Sequence, residues 1–281
     1  MNKFGGSWTK QKIQIVELYA KAYLQIMKTR LYWSLLYFDG FAGTGEINTE
    51  DDDYEITEGV AKKILSIIHP RPFDMYYFVE LDTEKKTKLE KMIGTSFPDR
   101  KNVYVQEADC NNKLIDLANF LRSDKGRKYK VLGFIDPCGM ELNWSSLEAL
   151  KGYDIDLWIL VPTGVGANRL LKRDGNISDA WITRLEKFLG ISKQEIMDNF
   201  YKQQKEHTLF GEYDYLEKER DSIEKVHTLY KLRLRTIFKF VSDSFAMKNS
   251  MNSIMFHFFM ATNNSTALKI ANDIIKPKFR I

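Results

Sequence analysis

The first regular pattern in the chain runs from Trp8 to Lys28, where apolar residues recur at steps of three and four. That spacing lines the apolar side chains along one stripe of an α-helix, so we predict a helix with one buried face. The stripe consists of Ile13, Val16, Ala20, Tyr23 and Met27.

Short apolar runs then alternate with helix-like stretches. Continuous apolar runs that end in glycine or polar residues are typical of strands buried on both faces of a parallel sheet. Their alternation with helices predicts a doubly wound α/β sheet. The predicted strands are Leu35–Phe38, Tyr76–Val79, Val103–Val105, Val131–Ile135 and Leu157–Val161, with helices at Gly59–Ile68, Lys85–Met92, Asn111–Leu121 and Ser145–Leu150.

The strand-like apolar runs stop after Pro162 and resume near Ile237. The polar stretch between them favours about three helices and is interpreted as a helical insertion. The last two strand-like runs are joined by a short turn at Lys248–Asn252, and such neighbours pair antiparallel. We therefore expect about seven strands, the last one antiparallel. The predicted division is 1–162 (N-terminal helix and α/β core), 163–236 (insertion) and 237–281 (strands Ile237–Val241 and Ile254–Met260 and helix Ser265–Ile275).

Composition indicates an ordinary folded protein: 44% of the 281 residues are apolar and 28% are charged. The net charge of +4 neither requires nor excludes a nucleic-acid partner. Two cysteines, the lack of a secretory pattern and the lack of a bilayer-length apolar run predict a cytoplasmic protein that does not enter a membrane. The cysteines and the scattered histidines have no metal-binding spacing, so no metal is predicted.

A glycine-rich loop directly follows the first predicted strand. Asp39, Gly40, Phe41, Gly43 and Gly45 are its candidate cofactor residues, because glycines allow a tight turn and a close approach to a ligand at the carboxyl end of a strand. A glycine turn without a ligand is the alternative. The three-glycine dinucleotide pattern and the phosphate-binding P-loop are both absent. Acidic residues in and beside the loop favour a cationic sulfonium over a pyrophosphate, so S-adenosyl-L-methionine is the predicted cofactor.

Acidic residues also end the next two predicted strands. Glu80, followed by Leu81, is predicted to accept the ribose hydroxyls of the cofactor, with a solvated charge as the alternative. Asp109, followed by Cys110, is predicted to accept a hydrogen bond from the adenine amino group, with a helix N-cap as the alternative.

The fourth strand ends in a candidate catalytic corner. Asp136 and the carbonyl of Pro137 could accept hydrogen bonds from an amino group and aim its lone pair at a methyl carbon. A simple Pro-Gly turn is the alternative. Cys138 and Gly139 are candidate substrate contacts. With no histidine nearby in the sequence, Cys138 is interpreted as a small buried residue and not as a nucleophile.

Together these segments resemble the three-Cys-motif partner protein family. The resemblance rests on DGFAGTG, FVELD, the Ala-Asp pair at Asp109, DPCGMELNWSSLEAL and FFMATNNSTALKI, and it spans Trp8 to Ile275. It implies a class I methyltransferase-like fold that uses S-adenosyl-L-methionine. It also implies a three-Cys partner protein that itself resembles radical S-adenosylmethionine enzymes.

The chain departs from this family at two places. Cys138 stands where the family carries the phenylalanine of Asp-Pro-Phe-Gly, a motif similar to one in transfer RNA guanine-N2 methyltransferases. Stacking on a base would then depend on Phe41, Trp144 or Tyr37. Thr57-Glu58-Gly59 stands where the family has Gly-Ser-Pro, which ribosomal RNA adenine methyltransferases share.

Two further segments are candidates for substrate contacts. Asn168 and Arg169 resemble the family's Asn-Arg-Leu-Leu segment and could face a phosphate or base, or simply begin a solvated helix. The basic run Lys231–Arg235 could contact phosphates or form a solvated face.

Three functions therefore compete. The first is an S-adenosylmethionine-dependent methyltransferase acting on an amino group of a nucleic acid, with RNA favoured over DNA. The second is a degenerate, methyltransferase-like binding partner of the three-Cys protein. A nicotinamide oxidoreductase is disfavoured because its glycine fingerprint is missing.

Overall fold

The computed structural model describes residues 7–47, 57–208 and 211–279. Ten α-helices and twelve strands are present in this part of the chain, together with a 3₁₀ turn at Gly126–Lys128 and a π-helical turn at Thr163–Ala167. The helices are α1 (Ser7–Met27), α2 (Val60–Leu65), α3 (Thr83–Ser96), α4 (Cys110–Arg122), α5 (Trp144–Glu148), α6 (Asn168–Leu170), α7 (Asp179–Leu189), α8 (Lys193–Phe200), α9 (Ser222–Leu234) and α10 (Ser265–Phe279). The strands are β1 (Ser34–Asp39), β2 (Glu46–Ile47), β3 (Thr57–Glu58), β4 (Met75–Glu80), β5 (Val103–Glu107), β6 (Tyr129–Ile135), β7 (Ile155–Val161), β8 (Tyr201–Thr208), β9 (Gly211–Lys218), β10 (Phe240–Val241), β11 (Phe245–Lys248) and β12 (Ile254–Thr262).

The main sheet has the order β10-β12-β7-β6-β1-β4-β5, with β11 also paired to β12. Strands β5, β4, β1, β6 and β7 run parallel to one another. Strand β12 runs antiparallel to β7 and also to β10 and β11. The predicted doubly wound sheet with an antiparallel last strand is therefore confirmed.

Side-chain alternation along the strands sends apolar residues to both faces of this sheet. On β1, Leu35 and Tyr37 pack with α1, α2, α3 and α10, whereas Leu36 and Phe38 pack with α4, α5, α7, α8 and α9. Both faces are thus covered by helices, which is why the strands read as continuous apolar runs.

Helix α1 confirms the first prediction, because all five residues of its predicted stripe are buried. It packs mainly against α10 and α2 on one face of the sheet. Among the described residues, no helix combines the length and the apolarity needed to cross a bilayer.

The last strands differ in detail from the prediction. Only Phe240 and Val241 of the predicted Ile237–Val241 run form a strand, and β11 was not predicted. The predicted turn is correct: the Asn249 amide donates to the Ser253 carbonyl at 3.0 Å, and Asn252 has a φ of 61°. Because β11 and β12 flank this turn, the sheet gains an eighth strand.

The insertion contains the expected helices α7, α8 and α9, and also an unpredicted hairpin of β8 and β9. Most side chains of this hairpin whose burial is described are exposed. A half-buried strand is recognised by alternating apolar and polar residues that follow its buried face, and this hairpin has no such face. The limits of the three predicted segments stay a prediction.

Candidate functional site

Four predicted acidic residues lie at one edge of the main sheet. Asp39 ends β1 and pairs in register with Phe78 of β4 and Phe134 of β6. Glu80 ends β4, and Asp136 follows β6, so each lies two residues beyond the partner of Asp39. Asp109 follows β5, which is the next parallel strand. This is the edge at which open α/β sheets bind ligands.

The glycine loop crosses this edge from β6 towards β4. The Gly40 amide donates to the Phe134 carbonyl and the Ala42 amide donates to the Val79 carbonyl, both at 2.9 Å. Gly43 and Gly45 then adopt φ angles of +61° and +77°, which residues other than glycine rarely adopt. A Cβ at Gly43 would meet no atom within 4 Å among the described residues, so the backbone there is open to approach.

Glu80 fixes the loop in this position. One of its carboxylate oxygens accepts a hydrogen bond from the Gly43 amide and the other accepts one from the Asp82 amide, both at 2.9 Å. Each oxygen retains acceptor capacity, because a carboxylate has about four lone-pair positions. Leu81, the next residue, is 68% exposed and presents an apolar side chain beside this carboxylate. Asp82 caps α3 by accepting a hydrogen bond from the Lys85 amide.

Asp39 lies beneath the loop, with only 1% of its surface exposed. Its carboxyl oxygen accepts from the Phe41 amide at 3.2 Å, which shapes the start of the loop. Burial raises the pKa of Asp39 to about 8; the Phe41 amide and Lys12 oppose this shift, while Asp136 and Glu80 add to it. Asp39 is therefore mostly protonated at neutral pH. Protonated Asp39 therefore adds no negative charge that would favour a sulfonium over a pyrophosphate. The side chain of Glu46, the acidic residue directly after the loop, lies outside the described residues.

Asp109 fulfils its alternative role as the N-cap of α4, because it accepts a hydrogen bond from the Asn112 amide at 3.1 Å. Its second oxygen has only a long contact of 3.5 Å to the Asn111 amide group. The side chain of Cys110 is buried, and its sulfur lies 2.5 Å from the position of a Cβ built on Gly40. Cys110 therefore supports the loop from below with its side chain.

Asp136 is paired with Lys12 of α1, whose side chain is 8% exposed. Lys12 was not predicted as a site residue, although position 12 falls four residues after Trp8 and four before Val16, on the buried side of α1. A lysine in such a stripe needs an acidic partner, and that requirement was a detectable signal. Pro137, the other predicted catalytic residue, is buried directly after Asp136.

The prediction that Cys138 is buried was wrong, because its thiol is exposed. The residue lies three positions past the end of β6, outside any helix or strand. Gly139 follows it and donates its amide to a Glu141 carboxylate oxygen at 2.7 Å. Buried Asn111 connects this turn to α4: its amide group donates to the Glu141 carbonyl and its oxygen accepts from the Asn143 amide.

Only one of three candidate stacking aromatics is accessible. Tyr37 is fully buried within the sheet, and Trp144 is packed between Tyr230 and the guanidinium of Arg233. Phe41, in the glycine loop, is partly exposed at the edge. The expectation that Tyr37 or Trp144 could stack on a base was therefore wrong for this conformation.

The remaining substrate candidates lie on the insertion side of the edge. The side-chain oxygen of Asn168 accepts from the Ser222 hydroxyl at 2.8 Å, whereas Arg169 is exposed. In the basic run Lys231–Arg235, at the end of α9, the guanidinium of Arg233 lies over Trp144. Of the three basic side chains in this run, that of Arg235 is exposed and the other two are half-buried. This run is thus neither a continuous solvated face nor a continuous basic patch.

The chain matches no protein-family model and no curated protein. Three solved structures illustrate its similarity in fold: a Legionella pneumophila protein of the DUF519 family, Trm1 from Pyrococcus horikoshii in complex with S-adenosyl-L-methionine, and yhhF from Escherichia coli, named as a candidate methyltransferase. The first is 13% identical over 95% of this chain and 92% of its own, with a TM-score of 0.46. Trm1 is 8% identical over 98% of this chain and 73% of its own, with a TM-score of 0.40. The yhhF protein is 11% identical over 78% of this chain and 89% of its own, with a TM-score of 0.32. These similarities are too remote to assign an activity, and the fold rests on the strand order itself.

Proposed function

We propose that this protein is an S-adenosylmethionine-dependent methyltransferase that acts on an exocyclic amino group of a nucleic acid, with RNA favoured over DNA. The observation that carries the proposal is the hydrogen bond between the Gly43 amide and Glu80. It joins a glycine loop after the first strand to an acidic residue at the tip of the next, which is the arrangement that grips a nucleoside.

The residues at this edge fit the cofactor. Glu80 keeps lone pairs for two ribose hydroxyls, and the exposed side chain of Leu81 offers an apolar surface to one face of an adenine. The Asp109 oxygen with only a long protein contact is an acceptor for the adenine amino group. When bound, S-adenosyl-L-methionine supplies an electrophilic methyl group on a sulfonium.

Asp136 and the Pro137 carbonyl serve the amino group in this proposal. The lone pair of an exocyclic amine is delocalised into its ring, so acceptors that hold both N–H groups make it available for attack. Lys12 occupies part of the acceptor capacity of Asp136. An incoming amine therefore shares Asp136 with Lys12 or displaces it.

A nucleic-acid base reaches this corner only when it is out of its stack. Phe41 is the partly exposed aromatic that lies beside the corner and is suited to stack on such a base. The preference for RNA rests on the resemblance to the three-Cys-motif partner family and on its shared features with RNA methyltransferases.

The test measures methyl transfer from labelled S-adenosyl-L-methionine to total RNA, DNA and protein. We expect incorporation into RNA that is lost in Asp136→Asn and retained in Asp124→Asn, a matched change at a carboxylate whose side chain is 98% exposed. Tight binding of the cofactor without label in any of the three pools would contradict the proposal. Circular dichroism of both variants verifies that they are folded.

The second candidate is a methyltransferase-like protein that binds the three-Cys radical S-adenosylmethionine-like protein without transferring a methyl group. The Lys12–Asp136 ion pair favours it, because the candidate acceptor is already engaged, and so does the cysteine at position 138. This candidate predicts that the two proteins co-purify and that Asp136→Asn leaves the complex intact while no pool is labelled. The side chain of Glu58, at the other departure, lies outside the described residues.

A further inference from the structure

A second cluster of chemically competent side chains lies where the insertion meets the core sheet. Glu224 and His227 are three residues apart on α9, which places them on one face of that helix. His257 belongs to β12 and pairs with Val161, the last residue of β7. The sequence separates these residues by up to 33 positions, and only the packing of α9 against β12 brings them together.

The distances within this cluster suit a single ion. One candidate ligand atom from each residue lies within 4.8 Å of those of the other two. Nε2 of His257 lies 3.8 Å from one carboxylate oxygen of Glu224, and Nδ1 of His227 lies 3.5 Å from the other. Ligand atoms about 2.0–2.2 Å from a tetrahedral zinc ion are roughly 3.3–3.6 Å apart, which is close to both of these histidine–glutamate distances.

A buried threonine orients His257 for this role. The Thr163 hydroxyl lies 2.9 Å from Nδ1 of His257, and both residues are at most 2% exposed. With Nδ1 engaged, Nε2 is the nitrogen that faces Glu224. Metal-binding histidines commonly have such a partner on their second nitrogen, because it fixes both the tautomer and the ring orientation.

One side of the cluster is shielded from water and the other is open. His257 is 2% exposed and the side chain of His227 is 15% exposed, whereas that of Glu224 is 55% exposed. Lys231, one turn further along α9, has a pKa lowered by burial, and its positive charge weakens the attraction for a cation.

The stacked histidine rings leave one buried ring nitrogen without a hydrogen-bond partner among the described residues. The imidazoles of His227 and His257 stack at 4.0 Å with an angle of 15° between their planes. Stacking alone gives Nε2 of His227 nothing to bond, since that atom is buried and has no hydrogen-bond partner among the described residues. His227 is thus able to rotate from the stack without losing a hydrogen bond through that nitrogen.

We propose that Glu224, His227 and His257 bind a divalent transition-metal ion of the zinc class, with a fourth coordination position open to water or substrate. Two histidines and one glutamate form a donor set typical of zinc sites with an open position. Binding turns the His227 ring from its stack so that its lone pair converges with that of His257 Nε2. The ion joins α9 of the insertion to β12 of the core, beside Thr163 at the carboxyl end of β7.

The test uses zinc itself and needs neither a cofactor nor a substrate. All proteins carry Cys138→Ser, since the exposed thiol of Cys138 would bind zinc independently. After chelator treatment, zinc is titrated against a competing indicator and the metal content is measured by mass spectrometry. Cobalt substitution is followed by its visible absorption, which reports tetrahedral nitrogen and oxygen coordination.

We expect one zinc ion per chain, a rise in melting temperature with zinc, and at least about tenfold weaker binding in Glu224→Gln and His227→Asn. Glu224 and His227 are the more accessible residues of the cluster, so we expect these two variants to fold. They keep the proposal testable even if His257→Asn, at the buried position, does not fold. Glu217→Gln, on the exposed β9, is the matched control and should bind zinc like the parent. Equal zinc affinity in the parent, Glu224→Gln and His227→Asn, or no retained zinc in any of them, would overturn the proposal.

Discussion

The ammonium of Lys12 and the carboxylate of Asp136 form an ion pair that connects the N-terminal helix to the end of the central strand β6. The two residues are 124 positions apart in the sequence, and both are largely shielded from water. Helix α1 is therefore part of the candidate catalytic corner as well as of the hydrophobic layer beneath it.

Breaking this pair should destabilise the protein. Lys12→Met leaves the Asp136 carboxylate without its partner, and we expect the free energy of unfolding to fall by about 1–3 kcal/mol, less than for a fully buried pair. The double variant Lys12→Met/Asp136→Asn removes both charges and should recover part of that loss. Urea unfolding of the wild type, both single variants and the double variant measures the coupling. Strictly additive losses would show that the pair contributes nothing.

Glu80 should matter for both the loop and the cofactor. Glu80→Ala removes the acceptor for the Gly43 and Asp82 amides, so we expect S-adenosylhomocysteine to bind more weakly by roughly 1–3 kcal/mol in calorimetry. Asp82→Ala is the matched control, because it removes the cap of α3 at a cost of about 1 kcal/mol in stability and leaves Glu80 in place. Equal losses of affinity in both variants would mean that stability, and not ribose recognition, explains the result.

Much of the architecture was predictable because the apolar runs, the glycine positions and the turn lengths all indicate the same fold. The run that forms β1 is apolar on both faces, and the glycines after it fit only a turn at its carboxyl end. Parallel pairing then brings Glu80 and Asp136 to the same edge without any need to know side-chain contacts. The antiparallel last strand followed from a short turn in the same way.

The parts that escaped prediction depend on long-range contacts or on exposure. The burial of Asp39 removes most of its charge at neutral pH, and no local pattern distinguishes it from an exposed loop aspartate. The hairpin of β8 and β9 has no buried face to mark it. His227 and His257 come from an insertion helix and a core strand, so their stacking appears only once both are folded.

Asp39 should make stability depend on pH. Its pKa is about 8 in the folded protein and about 3.9 in an unfolded chain, so the folded state holds a proton that the unfolded state releases between these values. Its contribution is complete below pH 4 and is lost as the pH rises towards 8, at up to about 1.4 kcal/mol per pH unit. Asp39→Asn should remove this slope in urea unfolding between pH 5.5 and 7.5. All other titratable groups are common to both proteins and cancel in the difference, so identical slopes would contradict the protonated Asp39.

Gly40 should resist replacement because its surroundings leave no room for a side chain. A Cβ there would lie 2.5 Å from the Cys110 sulfur and 2.7 Å from a methyl group of Ile135, so Gly40→Ala should cost about 1–3 kcal/mol of stability through overpacking. Gly94→Ala is the matched control: Gly94 lies in α3 with no described atom within 4 Å of such a Cβ, and alanine there should stabilise the helix by up to about 1 kcal/mol.

The cause of the Gly40→Ala loss can be separated from a general effect on the loop by removing the sulfur. Cys110→Ala leaves a small cavity in the wild type, but it makes room for the new methyl group in Gly40→Ala. We therefore expect Cys110→Ala to be less destabilising in the Gly40→Ala protein than in the wild type, as measured by thermal and urea unfolding. If the sulfur change costs the same in both proteins, the close approach of Cys110 to Gly40 is not what excludes a side chain. The methyl group of Ile135, 2.7 Å from the same Cβ position, would then be the contact that excludes it.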